Sequence, residues 1–359
     1  MKKKILHYIP GFYIGGIETL FLDLIENIDK EKYEIYLLTE RELEKSIKNI
    51  LDKNNIKYLR NIYSIKKRPF SYLKEMYCIL KNGNWNILHL HISYGRDFMI
   101  YFAKILRIPK IIMHAHTTSL GIDSKIGRFV FLNFISKKNI EYIGCSKEAG
   151  KYFFGDNLNV NVIINGINFE KFKNNLEIKR EYEKELGLKN KKIIGMIGRI
   201  SYQKNQKFAI EIFEKLNNLD EDYILLLIGN EADDKEIPKI VKKKGLEDKI
   251  IFLGARSDIK ELLSLIDIYL MPSRYEGLSV GLLEAQASGV QCLISDTITP
   301  KNIITDNVKI LSLNDSPKVW AEKIIDLYSK GRENINYDIL NKSEYSMKIF
   351  TKKIEEIYG

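Results

Sequence analysis

Along the 359 residues, short unbroken apolar runs alternate with stretches whose apolar positions recur every three or four residues. The runs KILHYI (4–9), YEIYLLT (33–39), IKYLR (56–60), NILHLH (86–91), KIIMHAH (110–116), EYIGCS (141–146) and VNVIIN (160–165) read as strands. The segments between them read as helices; residues 17–28, for example, put Leu20, Phe21, Leu24, Ile25 and Ile28 on one face. Strands that are apolar throughout, with helices between them, belong to a parallel sheet covered on both faces.

Residues 166–190 break this rhythm with a polar, charged stretch that reads as a linker and a short helix. The alternation then restarts with KIIGMIG (192–198), YILLLIG (223–229), KIIFLG (249–254), IDIYLMP (266–272), QCLIS (291–295) and VKILSL (308–313). The pattern predicts an α/β chain of two Rossmann-like, doubly wound domains, 1–168 and 169–340. An amphipathic helix within 341–359 has no strand after it and is expected to pack back on the first domain. Ligands of such sheets bind beyond the carboxyl ends of the strands, so the expected site is a cleft where the two domains face each other.

Charge sharpens the picture. Residues 1–165 carry 26 Lys and Arg against 16 Asp and Glu, while residues 166–359 carry 31 of each. The whole excess of +10 therefore lies in the first half. It fits either a solvated Lys-rich surface or an acidic partner: an anionic membrane, a phosphorylated substrate or nucleic acid. The run Lys66, Lys67, Arg68 followed by Pro69-Phe70-Ser71-Tyr72 is the best membrane candidate, pairing basic residues with aromatics. Nucleic acid is not expected as a partner, because the 21 tyrosines are scattered and no RNA-binding module pattern appears. The start, MKKKILHYIPGF, has too short an apolar run for a signal peptide, and no stretch is long enough to span a bilayer. Three widely spaced cysteines, Cys78, Cys145 and Cys292, fit a reducing, cytoplasmic setting.

Candidate chemistry concentrates at strand ends. After the run ending at Pro272, a loop carries Glu276 and Gly277, and a helix starting near Ser279 holds Glu284 about one turn in. Two carboxylates flanking a helix N-terminus suit a ligand with phosphates at its centre and hydroxyls at both ends. After the first strand of the second domain comes Gly198-Arg199, with Lys204 at the next helix start. That cation pair can neutralise a diphosphate leaving group. A surface glutamate beside an ordinary helix and a solvated helix-start lysine are the plain alternatives.

All five histidines fall in the first half, and the pairs His89/His91 and His114/His116 each face one side of a strand end. That spacing is compatible with metal, but strand ends at clefts gather polar residues in any case and no carboxylates accompany them. Asp220-Glu-Asp222, the one D-x-D, sits at the wrong end of its strand for the cleft.

With these residues together, the chain resembles the family-4 type of retaining glycosyltransferases with the GT-B architecture, nearest the bacterial capsular and exopolysaccharide branch. The resemblance rests on Glu276 to Glu284 (E-x7-E), on Gly198, Arg199 and Lys204 (G-R-x4-K), and on the loop Gly15-Gly16-Ile17-Glu18. It extends to His114-Ala115-His116-Thr117, Cys145-Ser146-Lys147-Glu148-Ala149-Gly150 and the turn Asn165-Gly166-Ile167-Asn168. The turn ends in Asn168 where the family more often has Asp, and Thr117 stands where the nearest branch often has Asn.

The resemblance implies a nucleotide-diphospho-sugar donor, UDP-linked, and a glycan or lipid-linked acceptor. Arg199 and Lys204 would bind the diphosphate, Glu284 the ribose and Glu276 the sugar hydroxyls. Amides around Leu278 and Ser279 would help hold phosphate. Gly15 and Gly16 would admit donor or acceptor close to the backbone, and His116 with Thr117 would line the acceptor side. Arg199, Lys204, Glu276 and His116 would be the catalytic set, with no metal and no cofactor. A sugar-nucleotide epimerase on the same architecture and a non-catalytic sugar-nucleotide-binding protein are the rival readings. The first would act on donor alone, and the second would not need all four donor-side groups.

Overall fold

The computed structural model describes residues 2–12, 16–91, 98–116, 139–230 and 236–359; Gly15 and Thr117 lie outside them. The chain forms two compact units, one of Met1–Ile167 with Lys342–Gly359, the other of Asn168–Asn341.

The first unit is built on a seven-stranded sheet of β1 (Lys3–Tyr8), β2 (Tyr33–Thr39), β3 (Lys57–Arg60), β4 (Ile87–His91), β5 (Lys110–Ala115), β6 (Ile140–Gly144) and β7 (Asn161–Val162). The order is β3-β2-β1-β4-β5-β6-β7, and every pairing is parallel. The second unit has six strands: β8 (Lys192–Ile197), β9 (Tyr223–Ile228), β10 (Ile250–Gly254), β11 (Ile268–Met271), β12 (Gln291–Ser295) and β13 (Val308–Leu311). Its order is β10-β9-β8-β11-β12-β13, again parallel. Each sheet reverses its winding once, between β1 and β4 and between β8 and β11. Connections leave in opposite directions there and open a crevice beyond the strand ends.

Both faces of each sheet are covered, which is why the strands are apolar throughout. In the first unit Leu6, Leu88, Leu90 and Met113 pack with Tyr72 and Met76 on one face. Ile5, Ile87, Ile112 and Ile143 pack with Phe21, Leu24 and the C-terminal helix Met347–Tyr358 on the other. That helix places Met347, Phe350, Ile354 and Tyr358 on one stripe, which buries it in the first unit. It starts at Met347, later than the sequence pattern implies, because Ser346 caps it: the Ile349 amide donates to Ser346 Oγ at 3.2 Å. Ile167 is stitched alongside, its amide donating to Tyr345 O at 2.8 Å and its carbonyl accepting from the Met347 amide at 2.9 Å. Gly166 permits this approach, since a Cβ there would lie 2.6 Å from Phe350 Cβ. β7 is two residues long where a six-residue run is expected, because only Ile143 and Gly144 of β6 pair with it.

Candidate active site in the second unit

The loops after β8 and β11 meet at the winding reversal of the second sheet. Gly198 leaves β8 with φ +145°, and a Cβ on it would lie 2.7 Å from Lys204 Cε. The glycine therefore makes room for the lysine stem to lie along the strand end. Arg199 follows, exposed; its carbonyl accepts from Gln206 Nε2 at 3.0 Å, and Gln206 Oε1 accepts from the Ser201 amide at 3.1 Å. Asn205, at φ +63°, turns the chain into helix Gln206–Asn217 and donates from Nδ2 to Pro272 O at 3.0 Å. Arg274 Nη2 donates to Asn205 Oδ1 at 3.1 Å, and the Gln203 side chain donates to Tyr275 O at 3.1 Å. The two loops are thus one hydrogen-bonded body.

Within it, Lys204 Nζ lies 2.8 Å from Glu276 Oε1, with the two side chains only 18% and 7% exposed. The contact is ionic: Oε1 is buried and accepts no hydrogen bond of good geometry. The family motifs' cation and first carboxylate therefore neutralise each other. Glu284 lies half-buried one turn into helix Val280–Ala287. Beneath both carboxylates sits Tyr269, fully buried; desolvation above all, then the nearby Cys292, Glu284 and Glu276, pushes its phenol well up.

Asn302 is a site residue that the motifs do not mark. Its Oδ1 accepts from the Ser279 amide at 2.7 Å, and its Nδ2 donates to Gly277 O at 2.8 Å. It clamps the loop between Glu276 and the helix, and no spacing rule links it to that loop 23 residues earlier. In this structure the Ser279 amide, one of those expected to help hold phosphate, is engaged by Asn302. The first-turn amides of Val280 and Gly281 have no carbonyl partner within the helix, as helix geometry requires. Leu278 is 41% exposed beside them. Asp220 and Asp222 are each tied to a lysine, Lys192 at 2.6 Å and Lys191 at 2.8 Å, in the turn entering β9.

In the first unit, His116 follows β5, half-buried, with its pKa lowered to about 4 by desolvation against a small opposing effect of Asn165. Burial lowers His7 to about 3 and pulls His89, His91 and His114 well down. The five rings lie together. The trios His7/His89/His91 and His91/His114/His116 each bring one ring nitrogen apiece within 4.8 Å, close enough for an ion. Many of those nitrogens bond to one another, however, and neighbouring rings stack, with His89 and His91 8° from parallel. Gly16 opens helix Gly16–Asn27, and among the described residues nothing lies within 4 Å of where a Cβ would sit.

Residues 178–342 match the family model described as Glycosyl transferases group 1. A Bacillus subtilis protein named as the glycosyltransferase EpsF is 30% identical over 346 residues, 92% of this chain and 89% of that one. An Escherichia coli protein named UDP-Gal:alpha-D-GlcNAc-diphosphoundecaprenol alpha-1,3-galactosyltransferase is 26% identical over 364 residues, 93% and 92% of the two chains. The solved structure of Anabaena HepE in complex with UDP-glucose matches with a TM-score of 0.73 over 99% of both chains, at 16% identity. The chain belongs to the group 1 glycosyltransferase family and has its GT-B fold of two Rossmann-like domains. The comparisons lend no support to the epimerase or binding-protein readings.

Proposed function

We propose that this glycosyltransferase moves a hexosyl or N-acetylhexosaminyl group from a UDP-sugar to a glycan or lipid-linked acceptor of a surface polysaccharide, with retention of anomeric configuration and without a metal. The Lys204–Glu276 pair, held at the winding reversal beside Arg199, is the observation that carries this reading. In the resting site each charge holds the other. A donor diphosphate draws Lys204 Nζ to its oxygens, and Glu276 is released to accept hydrogen bonds from sugar hydroxyls. Glu284 takes the ribose, and the Val280 and Gly281 amides add their dipoles at the phosphate. As the glycosidic bond lengthens, negative charge grows on the leaving diphosphate. Arg199 and Lys204 stabilise it in place, and the diphosphate accepts the acceptor's proton on the face it departs from. Gly16 leaves room for a ligand against the backbone, and His116 lines the acceptor side.

The E. coli relative's name, with a diphosphoundecaprenol-linked acceptor, supports a lipid-linked acceptor here too. A basic, aromatic loop supports docking on the inner leaflet: Lys66, Lys67 and Arg68 are exposed, and Phe70 is 87% exposed at the start of helix Pro69–Asn82. Among the described residues no helix is long and apolar enough to cross a membrane. The test is incubation with a panel of nucleotide-sugars and undecaprenyl-diphosphate-linked saccharides, measuring nucleoside diphosphate released and the anomeric coupling of the product. Release with a UDP-sugar and an axial product bond are expected; an equatorial bond from the same donor would refute retention.

A further inference from the structure

Lys204 is a point charge on a flexible four-carbon stem, with no planar group to register against a neighbour. It also stands outside the sheet, in the turn 202–205 that leads from β8 into helix Gln206–Asn217. Its position therefore has to be imposed from outside. The loop after β11 imposes it, and most of the hold runs through Arg274. The Arg274 amide donates to Gln203 O at 2.8 Å. Its Nη2 donates to Asn205 Oδ1 at 3.1 Å. Its guanidinium carbon lies 4.5 Å from the centre of the Tyr202 ring. Arg274 thus meets three of the four residues of the turn, and the fourth is Lys204.

The Asn205 contact fixes the backbone. At φ +63° Asn205 occupies the left-handed region, which a residue with a side chain holds only where its surroundings over-determine it. Pro272 O accepts from its Nδ2 at 3.0 Å and Arg274 donates to its Oδ1, so the loop after β11 holds both ends of a buried amide. Lys204, one residue earlier, takes its direction from that backbone. Gly198 leaves space for its stem, and Nζ arrives 2.8 Å from Glu276 Oε1. Arg274 and Glu276 stand two residues apart, so one loop both aims the lysine and supplies the carboxylate that receives it. Arginine suits this place: a planar fork can lie over an aromatic ring and donate from its edge at once, which a single ammonium cannot.

We propose that Arg274 is a positioning residue for Lys204. It clasps the turn on either side of the lysine and so keeps Nζ where the leaving diphosphate forms, acting through Lys204 and not on the substrate. The kinetic consequence rests on the diphosphate reading of Lys204; the effect on the Lys204–Glu276 pair does not.

The first readout is nucleoside diphosphate release at saturating UDP-sugar. In Arg274→Ala, kcat should fall about 10- to 100-fold, as small displacements of an aligned group cause, with nucleotide affinity within about twofold. Added to Lys204→Ala, the same change should cost nothing further, since the group it aims is gone; losses that multiply would refute action through Lys204. Arg274→Lys keeps the charge without the fork and should retain most of the loss, whereas full activity would show that the charge itself acts on the ligand. Tyr202→Ala, at a position 72% exposed, serves where Arg274→Ala does not fold. It should lose about 2- to 5-fold, the worth of an exposed cation–ring contact, and full turnover there would overturn the clasp.

The second readout needs no turnover. Urea melts of Lys204→Ala, Glu276→Gln and the double variant give the coupling of the ion pair. Repeated on Arg274→Ala, the cycle should give about half that coupling or less; undiminished coupling would refute the positioning role. Reduced coupling together with a fully active Lys204→Ala would leave the clasp standing and overturn the diphosphate reading alone.

Discussion

Replacing Lys204 by alanine tests the donor site in two ways at once. The change removes a cation meant for the leaving diphosphate, and loss of one such preorganised group costs about 10²–10³-fold in kcat, or roughly 3–4 kcal/mol of barrier. It also leaves the Glu276 carboxylate, 7% exposed, without its countercharge. Stranding one member of a fully buried pair costs about 3–5 kcal/mol; with Lys204 still 18% exposed, we expect about 2 kcal/mol. For a unit of this size that lowers Tm by about 4–8 °C. Adding Glu276→Gln to Lys204→Ala removes the stranded charge, so Tm should recover most of that loss while kcat stays low. The assay is nucleoside diphosphate release at saturating donor, beside calorimetry on both variants. Near wild-type kcat in Lys204→Ala would refute the diphosphate role. A double variant as unstable as the single one would refute the charge argument.

Glu284→Ala should weaken nucleotide binding by calorimetric titration, because a ribose contact exists before and during transfer, whereas Glu276→Ala should mainly lower kcat; equal nucleotide affinity in wild type and Glu284→Ala would contradict the ribose assignment. Turnover should survive excess EDTA, and complete loss restored by Mg²⁺ or Mn²⁺ would contradict charge neutralisation by Arg199 and Lys204. The buried histidines should make the fold acid-sensitive. With His7 at about 3 and His116 at about 4, the unfolded chain binds protons below pH 6.5 that the folded chain refuses, so stability falls as pH falls. At pH 5.5 these two alone cost about 3 kcal/mol relative to pH 7.5, which urea melts at the two pH values will detect; equal midpoints would rule this out. Vesicle co-sedimentation should appear with anionic lipid, fade with salt and weaken when Lys66, Lys67 and Arg68 become Ser, each basic residue contributing about 1 kcal/mol; equal binding to neutral and anionic vesicles would refute electrostatic docking.

The sequence by itself determined the two parallel sheets. A strand buried on both faces must be apolar along its whole length, so β1, β4, β8, β9 and β11 announce themselves as local runs, and the GT-B resemblance follows from short motifs on the loops after them. Gly198, Arg199, Lys204 and Glu276 are legible for the same reason, each following closely on the strand end at Ile197 or Met271, and Glu284 is legible from its spacing to Glu276. The tertiary structure alone decided which of these groups touch. Lys204 and Glu276 are far apart in the chain and meet because β8 and β11 are neighbours at the winding reversal. Asn302 reaches the Ser279 amide from a turn after β12, a contact that no local spacing announces. The histidine cluster is the extreme case. Alternation shows that His89 and His91 share a face, but their junction with His7 needs the β1–β4 pairing, and their junction with Tyr358 needs a helix at the other end of the chain. Local patterning encodes which face a residue presents; hydrogen bonds between residues hundreds of positions apart exist only once the sheets are assembled and water is excluded.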